Sequence, residues 1–378
     1  MTIRVLVLID AFRMGGAETL LAPMVAASRT ADIEIDIVGL SPESLNAAKT
    51  MQILSDAGIT TRSLGIRRLL DPTAIPKLVQ VIRNGRYDIV HAHLEMATTL
   101  ALPATALARV PLVCTFHHVT RKLSGRVGWR ERIAVDAATL SRRAIFVSEA
   151  SRESFQRTYR PKGTPDNWSV IHNGINIDEF TPGEVDETVR AELGGANRKL
   201  IVLPAAFRFF KGILVAIRAW PEVLAEHPDA VLSLVGGGES EGEYRDVVET
   251  LGLSNSVHFS GVRTDMPQVY RAADLVLLPS TQGENLPTVL IEASAAGRPV
   301  AASRIGGISD IVIDGETGLL FAPNDGSALA DVVVRMLSDD GLRATLGSAA
   351  AVRAREEFSA PAWLSNLRRM YTEVLEEV

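Results

Sequence analysis

The chain has 378 residues, of which 47% are hydrophobic and 22% charged, and its formal net charge is −6 at pH 7. This length exceeds what a single core usually accommodates, so two domains are expected. The apolar stretches are strand-sized and residues 1–9 lead straight into a strand pattern, so neither a membrane-spanning helix nor a secretory signal is predicted. The single cysteine, Cys114, cannot form an internal disulfide and is predicted to be a small core residue, which fits a cytoplasmic protein.

Charge is distributed unevenly along the chain. Residues 121–162 contain eleven Lys and Arg side chains but only four Asp and Glu side chains. Two interpretations are open: a solvated helix surface, or attraction to an acidic partner such as the anionic lipids of the inner membrane face or a phosphorylated acceptor. No nucleic acid partner is expected.

Both halves of the chain alternate strand-like apolar runs with helical patterns. The predicted strands of the first half are Ile3–Ile9, Ile33–Val38, Asp88–His93, Leu112–Phe116, Ala144–Ser148 and Ser169–Ile171. Those of the second half are Leu200–Leu203, Ala230–Val235, Val257–Phe259, Leu275–Leu278, Val300–Ala302 and Gly318–Phe321. The predicted helices include Ala17–Ala27, Ile75–Asn84, Ile213–Glu226, Ser327–Leu337 and an amphipathic closing helix, Ala360–Glu377. This alternation predicts two doubly wound α/β domains with parallel sheets.

A polar stretch with Pro and Gly, from His172 to Gly183, interrupts the alternation and is predicted to link the domains. The predicted domains are residues 1–172 and 173–359, followed by the closing helix at 360–378. Ligands of doubly wound sheets bind at the carboxyl ends of the strands, so the site is expected in the cleft between the domains.

The clearest site signal lies between Pro279 and Gly297. A polar loop leads into a helix predicted to begin near Pro287 and to end at Gly297, because proline is favoured in a first helical turn and glycine just past a last one. The unpaired N–H groups at such a helix start bind anions. Thr288 and Glu292 share one helical face about 6 Å apart along the axis. A ligand with a phosphate at the helix start and sugar hydroxyls at the carboxylate is therefore predicted.

The segment Met14-Gly15-Gly16-Ala17-Glu18 follows the first strand and opens a helix. Its two glycines let the backbone approach a phosphate or a sugar. A dinucleotide fingerprint is the alternative, but the glycine spacing differs and the second strand ends without an acidic residue, so a nicotinamide site is not predicted.

Histidines follow two of the predicted strands. His117 and His118 come after Leu112–Phe116, while His91 and His93 end the strand before it. His117 is predicted to hydrogen-bond a sugar hydroxyl or to stabilise developing charge; the plainer alternative is a histidine packed at the lip of the cleft. No metal is predicted, because no carboxylate or cysteine stands at ligand spacing.

A short basic segment follows the first strand of the second half. Lys211 precedes Gly212 at a predicted helix start, where a lysine is well placed to bind a diphosphate as a point charge. A surface lysine is the alternative. The run Gly236–Gly238 is interpreted as a flexible turn between a strand and a helix.

In this order, the motifs resemble those of the retaining nucleotide-sugar glycosyltransferases of glycosyltransferase family 4, which have the two-domain GT-B fold. The resemblance covers nearly the whole chain, and its most specific part is Glu284-x7-Glu292 within the stretch from Ser280 to Val300. Supporting matches are Gly15-Gly16-Ala17-Glu18, Val147-Ser148-Glu149, residues 170–175, Lys211-Gly212, Gly306-Gly307 and Asp314-Gly315-x-x-Gly318.

The resemblance implies roles for residues of the second domain. Glu292 is similar to the family's ribose-binding carboxylate, and Glu284 to the one that holds donor-sugar hydroxyls. The diphosphate is expected on Lys211 and at the helix start, whose donor-binding residues are Asn285, Leu286, Pro287 and Thr288. Val262 and Arg263 fall where the family's base-contacting segment lies.

Other implied roles belong to the first domain. Gly15 and Gly16 are expected to approach the phosphate or the donor sugar, and His117 matches the histidine that contacts this sugar near the reacting carbon. The closing helix is expected to cross back onto the first domain.

Two positions depart from the family pattern. Many members have an arginine five residues before the lysine, and it also contacts the diphosphate. Here Ala206 occupies that position, while Arg208 stands two residues later and is predicted, as a hypothesis, to supply the charge. Asp310 replaces a frequent glutamate but keeps its sign.

The resemblance implies retaining transfer of a sugar from a UDP- or GDP-linked donor to an acceptor hydroxyl, with a lipid-linked or saccharide acceptor. His117, Glu284 and Lys211 are the predicted catalytic residues. Fixed charges would stabilise the leaving diphosphate, so neither a metal nor another cofactor is expected. Two alternatives stay open: a nucleotide-sugar 2-epimerase of the same fold, and a non-catalytic nucleotide-sugar-binding protein.

Overall fold

The apolar runs of the sequence form two separate parallel sheets in the structure, a computed structural model that describes residues 2–13, 15–121 and 123–377. The first sheet belongs to a unit that extends up to Ile175 and resumes at Ser359, and we call it unit 1. The second sheet belongs to unit 2, which comprises Asn176–Phe358. The chain thus changes unit between Ile175 and Asn176, within the predicted linker.

Seven strands pair in the described part of unit 1, in the order β3-β2-β1-β4-β5-β6-β7, and every pair is parallel. The strands are β1 (Ile3–Ile9), β2 (Ile33–Gly39), β3 (Thr61–Ser63), β4 (Ile89–His93), β5 (Leu112–Phe116), β6 (Arg143–Phe146) and β7 (Trp168–Val170). The helices between them are α1 (Gly16–Thr19), α2 (Leu21–Ser28), α3 (Ala48–Asp56), α4 (Ala74–Gly85), α5 (Glu95–Ala108), α6 (Gly125–Leu140) and α7 (Glu149–Tyr159).

Unit 2 contains a six-stranded parallel sheet in the order β10-β9-β8-β11-β12-β13. Its strands are β8 (Lys199–Pro204), β9 (Ala230–Val235), β10 (Val257–Gly261), β11 (Leu275–Leu278), β12 (Val300–Ser303) and β13 (Leu319–Phe321). Its helices are α8 (Glu187–Glu192), α9 (Ile213–Glu226), α10 (Glu241–Thr250), α11 (Met266–Ala272), α12 (Thr288–Ala295), α13 (Ile308–Ile311), α14 (Gly326–Ser338) and α15 (Asp340–Glu357).

The closing helix α16 (Ala360–Glu376) belongs to unit 1, where it packs on α2. The Tyr371 hydroxyl lies 2.6 Å from Nδ1 of His91, and both side chains are fully buried. The Ala360 amide also donates to the carbonyl of Ile175 at 2.9 Å. A polar contact buried inside the unit therefore fixes the end of the chain.

The twelve predicted strands are all present, with small differences at their ends. The prediction did not include β3, a polar edge strand that pairs with β2 alone among the described strands and so needs no apolar face. It also predicted one helix over Ala17–Ala27, whereas the structure has α1 and α2 with a break at Leu20. Pro23 explains the break: it has no N–H for a helical bond to Thr19, so a new helix starts with Pro23 in its first turn.

Each sheet reverses its strand order at one place. In unit 1 this switch point lies between β1 and β4, and in unit 2 between β8 and β11. Doubly wound sheets bind ligands in the crevice outside the carboxyl ends of the strands at such a point. The loops that follow these four strands are therefore the places where a site is expected. Cys114 lies in β5 and is fully buried, which confirms its predicted place in the core.

Candidate active site

The helix predicted from Pro287 to Gly297 is confirmed as α12. Pro287 is its N-cap, and Gly297 follows the C-cap with a positive φ of 71°. A left-handed residue just past the last turn ends a helix and is usually glycine. The helix start therefore projects its unpaired backbone N–H groups beside the loop that follows β11.

Glu284 and Lys211 form an ion pair at the switch point of unit 2. Lys211 Nζ lies 2.6 Å from Glu284 Oε1, and the same oxygen accepts a hydrogen bond from Ser280 Oγ at 2.5 Å. Glu284 is only 6% exposed, so its charge needs these partners. The other carboxylate oxygen, Oε2, accepts no hydrogen bond from the residues that the structure describes, and it is the oxygen left for a ligand hydroxyl.

Two glycines hold the loops that carry this ion pair. A Cβ on Gly212 would lie 1.8 Å from the carbonyl oxygen of Pro279, and one on Gly306 would lie 1.9 Å from that of Glu284. Both glycines also have a positive φ. Only glycine fits such positions, so the backbone itself sets where Lys211 and Glu284 meet.

Glu292 lies on α12 in a second polar contact. The hydroxyl of Tyr270, a buried residue of α11, donates to Glu292 Oε2 at 2.7 Å. Burial raises the pKa of Glu292, although hydrogen bonds from Tyr270 and Thr288 oppose the shift. One side of the carboxylate is thus anchored in the protein.

Arg208 lies at the rim of a cavity of about 510 Å³ outside β8 and β9, with Ala206 and the glycine loop that follows β9. Its side chain is exposed and makes no ion pair with any residue that the structure describes. A free guanidinium is therefore present near the position where the family arginine is missing.

The two residues expected beside the nucleobase differ in environment. Val262 is 80% exposed, whereas the guanidinium of Arg263 pairs with Asp265 at 2.6 Å and with Glu192 at 2.7 Å. These carboxylates raise the pKa of Arg263. A base contact by Arg263 stays a prediction, and its charge is already neutralised.

Gly15, Gly16 and His117 lie in unit 1, whereas Glu284, Glu292, Lys211 and Arg208 lie in unit 2. Gly15 caps α1 in an extended conformation, and a Cβ on Gly16 would meet no heavy atom within 4 Å. Packing within the protein therefore does not demand glycine at position 16. Met14, the first residue of this motif, lies outside the described residues.

Three histidines stack at the carboxyl ends of β4 and β5. His93 Nδ1 lies 2.8 Å from His117 Nε2, and His91 contacts Tyr371 and Thr115. Burial lowers the pKa of His91 to about 3 and also depresses the pKa values of His93 and His117, so all three rings are neutral near pH 7. His117 Nδ1 is enclosed without a partner among the described residues.

A cavity of about 450 Å³ lies outside the carboxyl ends of β1 and β4, at the switch point of unit 1. Three guanidinium groups line it, those of Arg13, Arg67 and Arg130, and none of them pairs with a carboxylate in the described part of the chain. Asp10 and Glu95 lie on its wall as well. Unpaired guanidinium groups are the usual ligands of phosphate and carboxylate groups.

His118 also lines this cavity and lies close to two carboxylates. Its Nε2 lies 2.7 Å from Glu131 and 3.9 Å from Glu95, a grouping that could hold a metal ion. The sequence offered no carboxylate at ligand spacing from these histidines, but folding brings Glu131 and Glu95 to His118. The absence of a metal stays a prediction. Glu131 already accepts three hydrogen bonds. The cavity is lined by both signs of charge, three arginines and the four acidic residues Asp10, Glu18, Glu95 and Glu131, so the arginines offer a place for an anion beside a group of carboxylates.

Asp10 follows β1, lines the cavity and accepts hydrogen bonds from the start of α5. Its carboxylate accepts hydrogen bonds from the backbone N–H of Ala97 at 2.7 Å and of Met96 at 3.2 Å. Burial nevertheless raises the pKa of Asp10 to about 7. Sequence reasoning did not connect Asp10 with the arginines, because Asp10 and Arg13 follow β1, Arg67 lies between β3 and α4, and Arg130 lies on α6, and no motif joins them.

Comparison with known proteins bears on both units. The family model described as "Glycosyltransferase Family 4" matches residues 14–179, and the model "Glycosyl transferases group 1" matches residues 185–353. The D-inositol 3-phosphate glycosyltransferase of Corynebacterium aurimucosum is 30% identical over 306 residues, which cover 76% of this chain and 72% of the relative. That of Corynebacterium efficiens is 31% identical over 78% of this chain and 74% of the relative.

This chain belongs to glycosyltransferase family 4. The resemblance found in the sequence is confirmed.

The fold of this glycosyltransferase is GT-B, as solved structures show. Anabaena Alr3699/HepE in complex with UDP superposes with a TM-score of 0.83 at 26% identity over 100% of both chains. A structure of the same Anabaena protein with UDP-glucose has a TM-score of 0.78 at 26% identity and covers 99% of this chain and 100% of that one. A glycosyltransferase from Rickettsia africae, at 20% identity, shares the fold with a TM-score of 0.83 over 100% of both chains. None of the described helices is both long enough and apolar enough to cross a membrane.

The raised pKa of Asp10 predicts a pH dependence of stability. A carboxyl whose pKa is higher in the folded state adds stability that is fully present below its unfolded pKa near 4 and is lost as pH rises towards 7. Asp10→Asn removes this loss, so the free energy of unfolding of D10N minus that of wild type should increase by about 1–4 kcal/mol between pH 4 and pH 7. Urea unfolding at a series of pH values measures the difference. The exposed Asp56→Asn is the matched control, and its difference from wild type should not change with pH. A difference for D10N that is also independent of pH would contradict the burial of an ionisable Asp10.

Proposed function

We propose that this glycosyltransferase moves a sugar from a UDP- or GDP-linked donor to a hydroxyl of a phosphorylated polyol, with retention at the anomeric carbon. The observation that carries the proposal is the Lys211–Glu284 ion pair beside the start of α12, at the switch point of unit 2. The complexes of the Anabaena protein with UDP and UDP-glucose support a uridine donor, and the names of the corynebacterial relatives support a phosphorylated inositol as acceptor.

On the donor side, the diphosphate would bind the N–H groups at the start of α12 and the ammonium group of Lys211. Lys211 is already held close to this position by Glu284. The negative charge that develops on the leaving diphosphate would meet fixed positive groups, which favours a reaction without a metal ion. Arg208, with no partner among the described residues, would add a second cation.

Glu292 and Glu284 would recognise the two sugars of the donor. Glu292 Oε2 is fixed by Tyr270, which orients the carboxylate for the two hydroxyls of a ribose. Glu284 uses Oε1 for Lys211 and Ser280, so Oε2 would accept from a hydroxyl of the transferred sugar. This contact suits recognition rather than nucleophilic attack.

On the acceptor side, the cavity of unit 1 suits a phosphorylated polyol. Arg13, Arg67 and Arg130 would bind the phosphate, and carboxylate oxygens of Asp10 and Glu95 would accept hydrogen bonds from hydroxyl groups. Retention would follow from attack on the face that the diphosphate leaves. The leaving phosphate oxygen would take the proton of the acceptor hydroxyl, so no protein base is needed.

A transfer assay tests this function. Purified protein is given UDP-glucose and D-inositol 3-phosphate, or the same phosphorylated headgroup in a lipid vesicle, and the product is analysed by NMR. A glycoside with the anomeric configuration of the donor is expected from at least one acceptor, and Glu284→Gln should lower kcat about a hundredfold. An inverted product contradicts retention. Turnover of the donor without an acceptor supports a 2-epimerase, and binding without turnover supports a non-catalytic protein.

Donor binding distinguishes the basic residues of unit 2. Lys211→Ala and Glu292→Ala should each weaken UDP binding at least about tenfold, because each removes a charged contact. Arg208→Ala should weaken it about three- to tenfold, whereas the exposed Arg218→Ala on α9 should have no effect. Isothermal titration calorimetry gives the four Kd values. If R208A bound UDP like wild type while K211A did not, Arg208 would lie outside the site.

We also propose that α6 brings this enzyme to anionic membrane surfaces. Val127 and Trp129 are 62% and 53% exposed on this helix, next to the exposed Arg126, Arg130 and Arg132. Apolar and basic side chains on one exposed helix suit an anionic lipid surface. Within the basic segment 121–162, only Lys122 lies outside the described residues.

Co-sedimentation with vesicles tests the membrane contact. Binding should increase with the fraction of anionic phosphatidylglycerol, and Trp129→Ser should weaken it about threefold or more. Arg355→Ser, a change on α15 of unit 2, serves as a control. Binding that does not depend on anionic lipid would remove the proposal.

A further inference from the structure

The acceptor cavity of unit 1 contains a histidine–carboxylate pair that donor binding does not use. His118 follows β5 and Glu131 lies on α6, and the distance from His118 Nε2 to Glu131 Oε1 is 2.7 Å. Both residues line the cavity, but Glu131 is only 2% exposed while His118 is half-buried. The histidine is thus the member that a ligand can reach.

Glu131 is held as a carboxylate by its neighbours. Its Oε2 accepts a hydrogen bond from Thr120 Oγ1 at 2.7 Å and another from the Tyr159 hydroxyl. Burial raises the pKa of Glu131, but the hydrogen bonds from His118, Tyr159 and Thr120 outweigh it and keep the pKa below its ordinary value. An ionised carboxylate only accepts hydrogen bonds, so the proton between the pair sits on His118 Nε2.

This proton fixes the tautomer of His118. In a neutral imidazole with its proton on Nε2, the other nitrogen, Nδ1, has a lone pair and accepts hydrogen bonds. Nδ1 has no hydrogen-bond partner among the residues that the structure describes. His118 therefore offers an acceptor atom, Nδ1, and its side chain lines the same cavity as the three guanidinium groups.

We propose that His118 orients the sugar acceptor, with Nδ1 accepting a hydrogen bond from a hydroxyl of a phosphorylated polyol whose phosphate is bound by the arginines of the cavity. Glu131 is then a positioning residue, since it acts only through His118. This inference rests on the proposed function. No proton is transferred to His118, because the leaving phosphate oxygen takes the proton of the reacting hydroxyl.

A pair of substitutions separates the two ring nitrogens. The amide of Asn in His118→Asn lies near the position of Nδ1, whereas the longer His118→Gln places its amide near Nε2. H118Q should therefore keep the contact with Glu131 and lose the contact with the ligand, while H118N should keep the ligand contact. We expect the Kd of D-inositol 3-phosphate for the UDP-loaded enzyme to rise about tenfold in H118Q and less than about threefold in H118N.

The Kd values are measured by calorimetry, and the Kd of UDP alone should be the same in wild type and both variants. His258→Asn and His258→Gln, at an exposed histidine of β10 in unit 2, are matched controls. If wild type binds D-inositol 3-phosphate and H118Q binds it equally well, the role of His118 is overturned while the proposed function stands. If wild type does not bind it at all, the proposed acceptor and the role of His118 both fail.

The tautomer of His118 can be measured directly, and it distinguishes the proposed role from a purely structural one. Nitrogen-15 NMR of the imidazole should show a protonated Nε2 and an unprotonated Nδ1 in wild type. In Glu131→Gln the amide can donate to Nε2, so the proton should move to Nδ1 and the Kd of D-inositol 3-phosphate should rise as in H118Q. A bare Nε2 in the folded wild-type protein would overturn the proposal even if E131Q failed to fold.

Discussion

The ion pair between Lys211 and Glu284 is the constraint on which the donor-side site depends. A half-buried ammonium and a buried carboxylate need each other in the folded chain, because either one alone would be an uncompensated buried charge. The pair joins the loops after β8 and β11, the two strands at the switch point. Gly212 lets the backbone of the first loop come close to the carbonyl of Pro279 in the second. The sequence motifs that seemed separate, a Lys-Gly step and a Glu-x7-Glu stretch, are therefore two sides of one contact.

Residues that start or end a helix by their own backbone chemistry explain why so much of the fold could be predicted. Pro287 and Gly297 mark the ends of α12 by chemistry that acts on the backbone at that residue, and the structure has the helix there. Buried parallel strands are apolar throughout, so they can also be recognised in the sequence. The edge strand β3 does not, because Thr61–Ser63 is polar and half exposed. The break at Leu20 was not predicted, because the helical pattern over Ala17–Ala27 outweighed the effect of Pro23.

Long-range pairing explains what could not be predicted at the sites. His118 follows β5 and Glu131 lies on α6, 13 residues further along the chain, and no motif links them. The arginines of the cavity come from two loops and from α6, and only folding places Arg13, Arg67 and Arg130 around one cavity. Arg263 shows the opposite case. Its position suggested a ligand contact, whereas Asp265 and Glu192 already occupy its guanidinium.

Positively charged side chains are stabilised differently in the two units, by water in unit 1 and by a carboxylate in unit 2. The difference follows from how far each side chain is buried. The arginines of the unit 1 cavity are exposed, so water solvates them and they need no carboxylate partner before an anion arrives. Lys211 is more enclosed and requires Glu284 as its counter-charge in the absence of ligand. A bound diphosphate would bring a second negative group to the same ammonium, while Oε1 of Glu284 stays with Lys211 and Oε2 accepts a hydrogen bond from a sugar hydroxyl. Recognition of the diphosphate would then be linked to recognition of the sugar through one ion pair.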